Sequence, residues 1–156
     1  MPDELTVANS SCLIALDAVG YLSVLHELYE AIDVPDAVNR ECGGQLPAWV
    51  QVRSVSNRSL VQSLRLELGE GEAEAIALCV ERSANRVILD DKKARRIARE
   101  LKLPVTGTLA ILLRAKEAGV LPNVHDPIDA LLAANFRVSE TLIAEVLRRA
   151  GESPSD

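Results

Sequence analysis

The chain is poor in aromatic residues: one Trp, two Tyr and one Phe stand among 156 residues. Proteins that hold single strands by stacking bases on a sheet, of the OB or RNA-recognition type, rely on such rings. The composition argues against that class. Cysteine is scarce too. Cys12, Cys42 and Cys79 are odd in number and far apart, with no C-x-x-C pair. They suggest neither a zinc knuckle nor a redox dithiol, and each reads as a small core residue in a reduced cytosol. His26 and His125 have no partnered motif, so no Ser–His–Asp order is indicated. No apolar run approaches the ~20 residues of a transmembrane helix. The N-terminus opens on Asp3 and Glu4, where a signal peptide would be basic. A cytoplasmic protein with no membrane association is expected.

What the chain does have is a core and segregated charge. Hydrophobic residues make up 48%, and the length suits one domain of the commonest size. Asp and Glu number 23 against 17 Lys and Arg, a net charge of −6. That total argues against holding nucleic acid by bulk charge. Residues 1–41, however, carry eight acids and the single base Arg40, whereas residues 42–156 carry 15 acids and 16 bases. Glu67–Glu81 contains five acids and no base, and Lys92–Lys102 contains six bases and one acid. This segregation is more informative than the sum.

Short apolar strands are expected at 5–8, 32–34, 49–55, 86–89 and 104–106. Helical spacing marks turns within 13–28 broken at Gly20, then helices over 36–42, 60–68, 69–82, 92–101, 108–118, 127–134 and 140–150. Strands alternating with helices predict a three-layer α/β/α sandwich around a central, mostly parallel sheet. One domain over 1–151 is expected, with a frayed tail at 152–156.

In such a sheet, sites collect at the carboxyl ends of strands. Two strands end there in oxygen-bearing groups: Asn9-Ser10-Ser11 and Asp90-Asp91. Glu41 follows the second strand on a helix, and Glu70, Glu72 and Glu74 open another. If the sheet gathers these, three or four carboxylates converge, and such a cluster needs raised pKa values or a bound cation. All-oxygen ligands suit Mg²⁺ or Mn²⁺, not zinc. Local explanations compete with this one. Acids are favourable at any helix N-terminus, Asp90 or Asp91 can simply cap the next helix, and Ser10 and Ser11 can be turn formers. Lys92, Arg95, Arg96, Arg99 and Lys102 fall on one helix face, either a phosphate-tracking stripe or a solvated surface. Gly69-Glu70-Gly71-Glu72 is no dinucleotide loop, because its acids would repel a pyrophosphate.

Taken together, the motifs resemble the PIN-domain family. Val7-Ala8-Asn9-Ser10-Ser11-Cys12-Leu13-Ile14 is similar to its opening, where a strand ends in Asp or Asn followed by Thr or Ser. Val34-Pro35-Asp36-Ala37-Val38 with Glu41 is similar to the second motif, and Gly71-Glu72-Ala73-Glu74-Ala75-Ile76-Ala77-Leu78 to the third. Ile88-Leu89-Asp90-Asp91, running on to Ala94-Arg95-Arg96, is similar to the fourth. Pro104–Leu109 and Leu112–Lys116 resemble the extension of a prokaryotic branch of nucleic-acid-binding, toxin-like proteins. The resemblance spans residues 5–150.

It implies a Mg²⁺- or Mn²⁺-dependent endoribonuclease, in which the metal activates water and polarises the scissile phosphate. Carried over by motif, the metal ligands are Asn9, Glu41, Glu72 and Asp90, with Glu74 and Asp91 as adjacent competitors. Glu41, Glu72 and Asp90 are the catalytic acids. Ser10, Lys92, Arg95, Arg96 and Arg99 are the nucleic-acid contacts. A homodimer, an RNA substrate and an antitoxin partner are implied. Asn9 departs from the more usual Asp and removes one anionic ligand. That departure supports a second expectation, a catalytically weak or inactive PIN-like binding or regulatory protein. A phospho-acceptor receiver domain fits less well, because its paired acids would follow the first strand, where Asn9-Ser10-Ser11 stands.

Overall fold

The computed structural model describes residues 4–153. Strand β1 (Thr6–Ala8) enters helix α1 (Ser10–Ala18), and α2 (Ser23–Tyr29) follows. Strand β2 (Ile32–Pro35) runs directly into α3 (Asp36–Glu41), and β3 (Val50–Arg53) precedes α4 (Arg58–Leu64) and α5 (Glu70–Arg82). Then come β4 (Arg86–Ile88), α6 (Lys92–Glu100), β5 (Val105–Thr106) and α7 (Thr108–Glu117), and finally α8 (His125–Ala133) and α9 (Glu140–Arg149). One boundary differs instructively from the expected 60–68. Helix α4 starts two residues earlier, because the Asn57 side chain accepts the Leu60 N–H at 3.1 Å. It ends at Leu64, beyond which Leu68 is buried and Leu66 is turned out to solvent.

Every strand pairing is parallel, in the order β3-β2-β1-β4-β5. Side chains of successive strand residues point to opposite faces, and this splits the core in two. Ala8, Ile32, Val34 and Ile88 join Leu13, Leu16, Leu112 and Ile128 on one face. Val7, Val87 and Leu89 join Val61, Ile76, Leu78 and Ala94 on the other. The three-layer α/β/α sandwich is thus the observed architecture. β3 lies at the sheet edge, where Val50 is buried but Val52, on the same face two residues on, is exposed, so its burial departs from the expected alternation. Cys12 and Cys79 are buried and unpaired, and Trp49 stacks on His26 with centroids 5.1 Å apart. Among the described residues, no helix is long and apolar enough to cross a membrane.

The expected frayed tail needs correction at its first residue. The Glu152 carboxylate accepts hydrogen bonds from Lys116 Nζ (2.7 Å) and from the backbone N–H groups of Val124 (2.8 Å) and His125 (3.0 Å). It thereby fastens the chain end to the start of α8. Residues 154–156 lie outside the described residues.

Candidate active site

The order of strands reverses between β1 and β4, and an open parallel sheet leaves a crevice at that point beyond its carboxyl ends. Asn9 leaves β1 there, its N–H donating to the Ile88 carbonyl at 3.2 Å, so that it and Asp90 depart the sheet from adjacent strands. Asn9 is 4% exposed, and its Oδ1 is buried with no hydrogen-bond partner. Leaving a buried acceptor unsatisfied costs ~1–3 kcal/mol. The next residue, Ser10, opens α1 and donates its hydroxyl to Glu41 Oε1 at 2.7 Å. Glu41 closes α3 and lies across Gly71 in the first turn of α5. A Cβ on Gly71 would stand 2.8 Å from the Glu41 carboxyl carbon, so only glycine leaves room for that carboxylate.

Helical spacing alone leaves Glu72 and Glu74 equivalent; the fold separates them. Glu74 is buried, its Oε1 accepting the Ala37 N–H at 3.0 Å and its Oε2 accepting Arg58 at 3.1 Å. Both oxygens thus tie α3 and α4 to α5, a packing role that Glu72 does not share. Glu70 is likewise engaged, with Arg40 and Arg65. Glu72 is half-buried, and its pKa is raised above 4.5 by burial first and then by the Asp91 carboxylate. The Gly69 N–H acts against this, with a smaller push upward from Glu41. Glu72 is the third residue of α5, the position a glutamate holds in a capping box.

The two adjacent aspartates also divide. Asp91 caps α6, accepting the Ala94 N–H at 2.9 Å. Asp90 turns the other way, to the start of α7. Its Oδ1 accepts the Thr108 N–H at 2.8 Å and its Oδ2 accepts the Thr108 hydroxyl at 2.6 Å. Burial raises the Asp90 pKa, while Thr108 and the Arg95 charge draw it down. The buried Cys12 thiol sits against Thr108 and is pushed up by burial and by Asp90.

The expected convergence of three or four carboxylates is not present. Among the described residues, no three Asp, Glu, His or Cys side chains stand close enough to hold one metal ion. The reason is local: Ser10 holds Glu41, Thr108 holds Asp90, and α3 draws Glu74 away. What forms is an open set of oxygen donors around the crevice. Glu72, Asp90 and Asp91 line a cleft of about 910 Å³ whose other walls carry Lys92, Arg95 and Arg99 of α6. Arg96, expected with them, faces a second hollow beside Lys93 and Glu100, which shares Asp91, Lys92 and Arg99 with the cleft. Arg137, also on the cleft, gave no signal in the sequence, because a lone base in a loop forms no pattern.

Residues 5–152 match a family model described as PIN domain. The chain belongs to the PIN-domain family. The match takes in every element from β1 to α9, and the fold is accordingly a nuclease-like one. Within the PIN fold of this chain, the motif positions Glu72 and Asp90 line the cleft, Asn9 leaves β1 beside Ile88, and Glu41 bonds Ser10 and lies against Gly71. No curated protein shows significant similarity to the chain.

Proposed function

We propose that this PIN-domain chain is an endoribonuclease that hydrolyses RNA phosphodiesters with the help of Mg²⁺ or Mn²⁺. The observation that carries this reading is the Asn9 amide oxygen, buried without a partner at the carboxyl end of β1. A hard cation is the partner such an oxygen lacks, and every other donor around it is also an oxygen, the set that Mg²⁺ and Mn²⁺ take. The absence of a tight acid triad is compatible with this. Mg²⁺ usually binds through one or two carboxylates, several waters and substrate phosphates, not through a closed protein cage. Asn9, Glu41, Glu72 and Asp90 are the residues that would hold it, with Asp91 beside them.

When bound, the cation supplies Lewis acidity, making water a competent nucleophile and drawing charge from the scissile phosphate. The chain's own groups do the rest. Ser10 holds Glu41 in one orientation and Thr108 holds Asp90 by both oxygens. Glu72, with its raised pKa, accepts a proton at its carboxylate more readily than an exposed glutamate. Arg95 and Arg99 draw the phosphate into the cleft. The proposal extends to a homodimer and, for a toxin-like role, to a protein inhibitor.

The test is RNA cleavage with Mn²⁺ or Mg²⁺, with EDTA, and with Asp90→Asn. Metal-dependent cleavage lost in the variant is expected. Equal activity under all three conditions, or none on any RNA, would sink the proposal. A second reading, a binding or regulatory PIN domain without catalysis, is favoured by the occupied oxygens of Asp90 and by the missing acid cluster. Calorimetry separates the two. No Mn²⁺ binding at millimolar metal supports the second reading, and binding abolished by Asp90→Asn supports the first.

A further inference from the structure

We propose that Arg137, on the connection between α8 and α9, forms with Arg95 and Arg99 of α6 the two walls of a phosphate-binding cleft, through which an RNA strand reaches the acids. This inference rests on the nuclease reading and adds to it the path of the strand and a residue outside all the family motifs. Three observations carry it.

The first is placement. Arg137 lines the same cleft as Asp90, Arg95 and Arg99, although more than thirty-five positions separate it from α6. The second is unspent charge. Arg40, Arg58, Arg65, Arg86, Lys116 and Arg148 each sit in an ion pair. Among the described residues, Arg95, Arg99 and Arg137 sit in none, and neither do Lys92 and Arg96 of the same helix. Cations that converge on one cleft without carboxylate partners are what a polyanion needs. The third is anchoring. Phe136 and Val138 pack against the core on either side of Arg137, which fixes the backbone that carries it. Asn135, at φ 67°, makes the left-handed turn that ends α8 and starts this crossing.

The alternative path runs over the other side of α6. Arg96 lies there with Glu100 beside it, and Lys93 is already 3.8 Å from Glu67. That side carries Lys92 and Arg99 as well, but neither Arg137 nor Asp90; the cleft alone joins the bases to Glu72 and Asp90.

The experiment measures binding of a short fluorescein-labelled single-stranded RNA of mixed sequence by fluorescence anisotropy. EDTA is present, so that cleavage is off, and affinity is followed over a series of salt concentrations. Wild type, Arg137→Ala, Arg137→Glu, Arg137→Lys and Arg96→Glu are compared, each checked for fold by circular dichroism. Loss of one charged phosphate contact should weaken binding roughly tenfold in Arg137→Ala, and the log–log salt slope should fall by about 0.7. Arg137→Lys should retain most of the affinity, and Arg96→Glu should lose clearly less than Arg137→Glu. Unchanged binding in Arg137→Glu, an equal loss in Arg96→Glu, or no binding by the wild type would overturn the inference. Cleavage in Mn²⁺ together with normal binding by Arg137→Glu rejects this path and leaves the nuclease reading intact. Arg137-dependent binding with no cleavage under any metal does the reverse.

Discussion

Single residues in this site trade stability for chemistry, and Glu72 shows it most directly. Its folded pKa lies above 4.5, so the folded protein holds this proton longer than the unfolded chain does. The stability this group contributes is full below about pH 4.5 and is lost as pH rises through the raised folded value. At neutral pH the ionised form is a net cost. Glu72→Gln should therefore melt at a higher temperature than wild type at pH 7, and the difference should vanish below about pH 4.5. Gln keeps the reach of a capping box. Added Mn²⁺ should raise the wild-type Tm by linkage and leave that of the variant unmoved. A lower Tm at pH 7 for Glu72→Gln would refute this account. Gly71→Ala tests the neighbouring carboxylate. Alanine favours a helix over glycine by ~1 kcal/mol, but its methyl meets Glu41. Glu41 is exposed and can swing aside, so stability should hold or rise while Mn²⁺ affinity and cleavage fall. Denaturant melts beside a metal titration would read both.

At the scale of elements, α3 against α5 is the joint that matters. Asp36 and Ala37 begin α3 at the end of β2, and Glu74 accepts the Ala37 N–H from one turn beyond Gly71. Glu74→Ala removes a buried acceptor serving both that N–H and Arg58, and should cost about 2 kcal/mol. Its effect on metal affinity should be small beside that of Glu72→Gln; the two variants shift Tm in opposite directions. This division explains how far the sequence could be read. Strand and helix identities followed from periodicity, because each element buries one face. The four motif positions followed from their order along the chain. Glu72 and Glu74 could not be told apart, since both flank the apolar stripe. What separates them is an N–H 37 residues away and a guanidinium 16 residues away. Asp90 and Asp91 are ambiguous because either can cap the next helix; the Asp91 bond to Ala94 and the Asp90 bonds to Thr108 separate them. Long-range partners of this kind leave no local trace, and neither does Arg137.

For the whole molecule, the far end of the chain is a structural part. Burial alone would raise the Glu152 pKa. Lys116 and the N–H groups of Val124 and His125 outweigh burial and hold it below 4.5. A depressed carboxylate contributes stability above its unfolded value, and that contribution is lost as pH falls through the folded value. Glu152→Ala should lower Tm at pH 7, and the gap should close as pH drops below about 4.5. A gap independent of pH would show that the carboxylate's charge is not what fastens the chain end. The segregated charge acts at this scale too, because a net −6 molecule can meet a polyanion only through a local cationic surface.

The sheet's wiring has a consequence for synthesis. β1 is the middle strand and the first to leave the ribosome, yet its partner β4 lies 80 residues further on, Thr6 pairing with Arg86. Until then β1 can pair only with β2, and one flank stays open. Asn9, Glu41 and Glu72 are all translated before that flank closes, while Asp90 and the Thr108 that holds it come after. A nascent or prematurely terminated chain shorter than this carries three of the four motif positions and lacks Asp90. Strand order alone thus delays completion of the site until β4 is made.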